Sequence, residues 1–238
     1  LTGTTAITNS EISTTSSSYS LFRSKEITSN MPGSTSNLDT QIKNSATSFT
    51  YVSSSWLVIG MHAYPQFSFT LEGVTGGTVT NGITTSIASQ PDSLDFLSLT
   101  TGAPKYLAHR LSTTSNAATG YTVTMKFINT LQGNYPANII EAFPGTWSSP
   151  QVWTEPTGTA PNVNTGWIGA NTSDTRVTGW SSGSGLFGPV GTTAQTVMTS
   201  PSIDTGTSIY VTYVIEVNQH QPTDVYIGNL VYNALPIY

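Results

Sequence analysis

The sequence predicts an all-β fold in which strands build one sandwich behind an extended, strand-like head. Three observations predict it. Charged residues are only 8% of the chain, against a typical quarter, and Ser and Thr, roughly 30% of all residues, supply the polarity instead. Thr, Val, Ile and Tyr suit a pleated, half-buried surface, while Ser, Gly, Asn and Pro suit turns. Finally, Gln66-Phe67-Ser68-Phe69-Thr70-Leu71 alternates, placing Phe67, Phe69 and Leu71 on one face.

Taken in order, residues 1–20 are almost all small and polar, closing on Ser16-Ser17-Ser18. Within them Thr4-Thr5-Ala6-Ile7-Thr8-Asn9-Ser10-Glu11-Ile12 is strand-compatible but carries too little apolar surface to found a core. Ordering such a segment costs about 1–2 kcal/mol per residue. Backbone pairing along a sheet edge is the natural offset. Residues 1–20 are therefore read as an extension and 21–238 as a single β domain. Phe49–Val52 and Ser55–Gly60 read as strands, the second buried on both faces. Gly76-Gly77 and Asn81-Gly82 flank Thr78-Val79-Thr80 as a hairpin. The apolar piece around Leu94, Phe96, Leu97 and Leu99 fits either a helix or a strand.

Two strand pairs follow: Tyr121–Ile128 with Ala137–Phe143, and Ile209–Val217 with Asp224–Gly228. In each, a strand ends at an Asn (Asn129, Asn218), a polar loop reaches Pro136-Ala137 or Pro222-Thr223, and a second strand begins. The echo fits duplicated sandwich halves and, equally, a chance resemblance between two hairpins. Residues 144–200, with Trp147, Trp153, Trp167 and Trp180, read as short strands and decorated loops, because structureless stretches beyond about 12–15 residues are uncommon in compact domains.

Composition excludes several classes of function. With a net charge of −5 and seven scattered Lys plus Arg, no basic face exists to neutralise a phosphate backbone, which argues against nucleic-acid binding. Without cysteine there are no disulfides, thiolate metal sites or cysteine nucleophiles. No apolar run reaches the roughly 18–20 residues of a membrane span. A start at Leu1 without Met or leader is what removal of a signal peptide leaves, so a secreted, extracellular protein is expected.

Motifs for catalysis are thin. His62, His109 and His220 show no paired spacing, and Ser184 lacks the glycine that a nucleophile elbow needs two residues before it. The enzyme idea worth carrying is a carboxylate pair, Glu141 and Glu216, inside apolar strands, with the four tryptophans as sugar-stacking platforms. The alternative is a pair of outward strand glutamates that discourage edge aggregation. No cofactor is implied; calcium could be sought where Asn171 and Asp174 cluster, although no spacing prescribes its ligands. Asn171-Thr172-Ser173 is an N-glycosylation sequon and, if used, puts Asn171 on the surface.

The polar head Thr4–Ile12, the all-β body, the absence of Cys and the late segments Phe127-Ile128-Asn129 to Ile140 and Ile215-Glu216-Val217-Asn218 to Ile227 together resemble one group. These are the secreted subunits of archaeal threads and bundling pili, related to bacterial matrix-fibre proteins of the TasA and camelysin type. The resemblance implies a jelly-roll or immunoglobulin-like sandwich that is a structural subunit and not an enzyme. It implies a homopolymer in which Thr4, Thr5, Ala6, Ile7, Thr8, Asn9, Ser10, Glu11 and Ile12 of one copy complete the sheet of the next. Ile7 and Ile12 fall on opposite faces of such a strand, so no single apolar stripe results. The alternatives are a viral capsid jelly roll or, further off, a carbohydrate-active sandwich.

Overall fold

The computed structural model describes Ile12–Thr15, Ser18–Leu21, Phe49–Val52, Trp56–Ile59 and residues 66–181 and 185–237. Contacts divide the chain into two compact units, Leu1–Pro65 and Gln66–Tyr238. In the first unit, β1 (Ile12–Thr15) and β2 (Ser18–Leu21) form an antiparallel hairpin with Ile12 opposite Leu21. A second hairpin joins β3 (Phe49–Val52) and β4 (Trp56–Ile59).

The second unit is built of β-strands with no helix among its described residues. Its larger sheet has the order β10 (Leu131–Gln132), β11 (Ile139–Ala142), β13 (Gly166–Thr172), β16 (Asp204–Val217), β8 (Lys105–Ser115), β5 (Phe67–Gly73). β14 (Leu186–Pro189) pairs with β13 beside β11 and carries β12 (Gln151–Val152). The smaller sheet is β15 (Gln195–Ser200), β9 (Tyr121–Phe127), β17 (Leu230–Pro236), all antiparallel. A separate hairpin joins β6 (Val79–Thr80) to β7 (Ile83–Thr84). Its turn residues Asn81 and Gly82 sit at φ 49° and 82°, the left-handed pair that an Asn-Gly hairpin needs.

One core lies between the two sheets. Period-2 alternation sends Leu111, Ile209, Val211, Tyr213 and Ile215 from the larger sheet, and Tyr121, Val123, Met125 and Met198 from the smaller, into the same buried cluster. The Phe67 ring meets Tyr121 at 6.1 Å and the Phe69 ring meets Tyr232 at 6.3 Å, so β5 and β17 lie over each other at one side. The opposite face of the larger sheet is covered too. Phe143, Trp167, Phe187 and Val214 make a second cluster there, with Trp153 and Tyr106 packed against it. That double burial explains why the last seven residues of β16 are all buried.

Several expectations are corrected. Neither sequence-predicted strand pair is a hairpin: β9 bonds β15 and β17, and β16 bonds β8 and β13. The two strands that begin them, β9 and β16, sit in different sheets. Asp224–Gly228 forms no regular strand; only Ile227 bridges, to Gln132. Leu94–Leu99 is neither helix nor strand. From an irregular segment it packs Leu94, Phe96 and Leu99 against the core and leaves Leu97 exposed.

Candidate functional site

Both strands at the overlapping side of the two layers have one partner each among the described residues. β17 follows β9 in register from Leu230↔Phe127 to Pro236↔Tyr121. At the ends, the Ile128 N–H donates to the Asn229 carbonyl and the Ile237 N–H to the Gly120 carbonyl. Odd-numbered residues of β17 therefore aim their amides at β9, and Leu230, Tyr232, Ala234 and Pro236 aim theirs away. Pro236 lacks an N–H on the side where none is used. On β5 the Asn116 N–H donates to the Gln66 carbonyl, so Phe67, Phe69 and Leu71 turn their backbone groups outward. Among the described residues no strand pairs with either outward edge.

The side chains of those same residues point between the layers and stay half-buried: Phe67, Phe69 and Leu71 on β5, Leu230, Tyr232 and Ala234 on β17. An apolar seam thus runs beside two backbone edges that no strand pairs among the described residues. At one end it is plugged, since a Cβ on Gly73 would lie 2.3 Å from the Ser89 carbonyl oxygen, and the chain after β7 passes there.

The two edges differ on their outer faces. β5 presents Ser68, Thr70 and Glu72, the last paired with Arg110 at 3.2 Å. From Val225 to Ile237 there is no charged residue, and exposure alternates at every step. Val225, Ile227, Val231, Leu235 and Ile237 are all exposed, Leu235 at 56%. A long, uncharged, apolar edge strand is what soluble proteins usually avoid.

Beside the seam lies a buried polar chain. His109, 3% exposed, places Nε2 3.0 Å from the Gln90 carbonyl and Nδ1 3.3 Å from the Tyr232 hydroxyl. The Tyr232 and Tyr213 hydroxyls form a short hydrogen bond, and the Tyr213 hydroxyl also reaches the Met125 sulfur at 3.5 Å. Burial holds the His109 pKa below the usual imidazole value. It also raises both tyrosines, Tyr213 further by the charge and hydrogen bond of Tyr232.

At the far end of β9, Tyr121 donates to Asp204 at 2.8 Å, and Arg176 pairs with Asp174 at 2.8 Å and with Asp204 at 3.7 Å. Burial, then the bond to Asp204, pushes the Tyr121 phenol up to about 12. Asp174 is committed: its two oxygens accept from Arg176 and from the Thr199 N–H. Among the described residues no three His, Asp or Glu gather to hold a metal ion.

The other sequence candidates take these places. Thr4 to Glu11 lie outside the described residues, as do His62 and Ser184, and Ile12 opens β1. Asn171 is corrected: it is fully buried near the end of β13, with neither amide atom hydrogen-bonded, so the sequon is not at the surface of the folded body. Glu141 and Glu216 do share a row, each opposite Trp167 in register, which stands between them. Glu216 is sealed at 3% exposure and accepts from Trp153 Nε1 at 2.6 Å, while Glu141 accepts from the Asn164 N–H. Trp147, Trp167 and Trp180 are buried and Trp153 half-buried, so these rings serve packing and offer no exposed platform. His220 is exposed in a loop.

Sequence reasoning missed β17 altogether. The signal was there: Leu230-Val231-Tyr232-Asn233-Ala234-Leu235 is uncharged and strand-forming. Compared with known proteins, the chain matches no family model, and neither a curated protein nor a solved structure is significantly similar to it.

Proposed function

We propose that this chain is a structural subunit of an extracellular filament, its body a jelly-roll or immunoglobulin-like sandwich left open along one side. The segment Thr4–Ile12 of a neighbouring copy fills that side as an added strand. The β17 edge, which no strand pairs among the described residues, carries this reading. Its outward amides and carbonyls, together with the half-buried Leu230, Tyr232 and Ala234, are the two things an inserted strand satisfies at once.

β17 suits that segment better than β5 does. Glu11 faces away from an apolar seam, so Ala6, Thr8, Ser10 and Ile12 face inward, and Thr5, Ile7 and Asn9 outward. An isoleucine on each side of the strand is a poor match for an edge with one apolar face. It is a good match for β17, apolar inside at Leu230 and Tyr232 and outside at Val231 and Leu235. The contact joins different surfaces of two copies, so it propagates without closing.

Electron microscopy of the full chain beside a chain lacking residues 1–13 tests this. Filaments are expected from the first and dispersed subunits from the second. Filaments of ordinary length from the truncated chain, or closed shells from the full one, overturn the reading.

A further inference from the structure

We propose that the buried chain Tyr213–Tyr232–His109–Gln90 is an acid-sensitive latch on β17, holding the edge strand in place at neutral pH and releasing it in acid. Its bearing on assembly rests on the filament reading; the latch itself does not. The hydrogen-bond polarity follows from the partners. The Gln90 carbonyl can only accept, so Nε2 of His109 carries the proton. Nδ1 of the neutral ring is then an acceptor, for the Tyr232 hydroxyl, whose oxygen accepts in turn from Tyr213. Three strands and the segment after β7 are thereby tied through one imidazole, from β8 to β17 and β16.

Protonation does not break these bonds geometrically. Nδ1–H can donate to the Tyr232 oxygen, the hydroxyls can reverse, and Tyr213 can end on the Met125 sulfur. What is missing is a counter-charge. From β16 the imidazole faces Tyr213, from β17 Tyr232, and from the segment after β7 the carbonyls of Gln90 and Ser93; opposite it on β5 stands Gly73. No carboxylate and no cation among the described residues acts on it. An imidazolium here is a buried, unpaired charge, so the proton is taken up only when the ring reaches water.

Of the elements over the ring, β17 is the easiest to lift. Among the described residues it pairs with one strand only, whereas Ser89, at the root of the other cover, is bonded to Val74 twice and to the Ala108 carbonyl. Once β17 lifts, His109 titrates near its ordinary 6.5. Below that pH the opened population grows by up to about tenfold per pH unit.

Amide exchange of Val231, Asn233 and Leu235 in the full chain, corrected for intrinsic rates and followed from pH 7.5 to 5, reads the latch directly. The unchanged chain should speed up about tenfold per unit below pH 6.5. His109→Gln should flatten the profile to less than about twofold, and His220→Gln should leave it as it was. Should His109→Gln not fold, the ring resonances of His109 in the unchanged chain replace it, and the closed form should show a neutral ring at pH 6. An unaltered slope in His109→Gln, or a ring that titrates normally while β17 stays protected, overturns the latch. Light scattering over the same range is a separate arm. If no filaments form at any pH while the exchange profile behaves as stated, the filament reading falls and the latch stands.

Discussion

Individual residues in this protein expose where the fold tolerates nothing. Gly120 enters β9 at φ +83°, and a Cβ there would lie 1.8 Å from the Ser200 carbonyl oxygen. Both the left-handed backbone and the contact forbid a side chain, so Gly120→Ala should destabilise by more than about 2 kcal/mol in urea unfolding. Asn171 invites the opposite change. Its amide is buried with no partner, which leaves the desolvation of both polar atoms uncompensated. Asn171→Leu, of similar shape, should raise stability by about 1–3 kcal/mol, seen as a higher midpoint in thermal unfolding. A lower midpoint would mean that the amide holds an internal water in solution. The buried tyrosines set the alkaline limit. Tyr121 is pushed up to about 12, so its neutral form is favoured by folding. The stability it contributes is complete below its ordinary value of 10.0 and is lost as pH rises through 12. Tyr121→Phe should flatten the loss of stability between pH 10 and 12, measured by denaturant titration at each pH.

At the scale of elements, alternation was legible and pairing was not. Phe67, Phe69 and Leu71 announced β5 because each faces the core from an edge with a polar outer side. β9 and β16 were equally clear, but their partners lie up to about a hundred residues away in sequence, and nothing local selects β8 for β16. β8 was obscured because Lys105, His109 and Arg110 break its apolar pattern. His109 is accommodated only through Tyr232 and Gln90, contacts no sequence window contains. The candidate site was half legible. The strand-like head Thr4–Ile12 suggested a segment in search of an edge, but the edge itself, β17, is apolar on both faces and so lacks the period-2 signal. That peculiarity supplies its own test. Leu235→Lys and Val231→Lys put charge on the exposed face of β17, where they should cost the body less than about 0.5 kcal/mol. They should nevertheless slow assembly strongly in light scattering, while Thr70→Lys on the outer face of β5 should not. Equal slowing by all three would remove the distinction between the two edges.

For the whole molecule, the proposed filament turns on polarity. A subunit that offers a strand at one surface and an edge at another forms chains with two chemically different ends. A subunit lacking residues 1–13 keeps its edge and loses its strand. Added to intact subunits, it can be taken up at the end that presents a free strand and then extends no further. A Leu235→Lys subunit keeps its strand, has an impaired edge, and stops growth at the other end. Each variant alone should shorten filaments in proportion to its mole fraction, with length distributions read from micrographs. The two together should shorten them additively, because they act at separate ends. A two-fold dimer or a closed shell has no such ends and would show one variant simply diluting the assembly. Reducing agent should change none of these lengths, since the chain contains no cysteine and every subunit contact must be non-covalent or built from other chemistry. Shortening by only one of the two variants, at any mole fraction, would place the strand and the edge on the same surface and remove the head-to-tail arrangement.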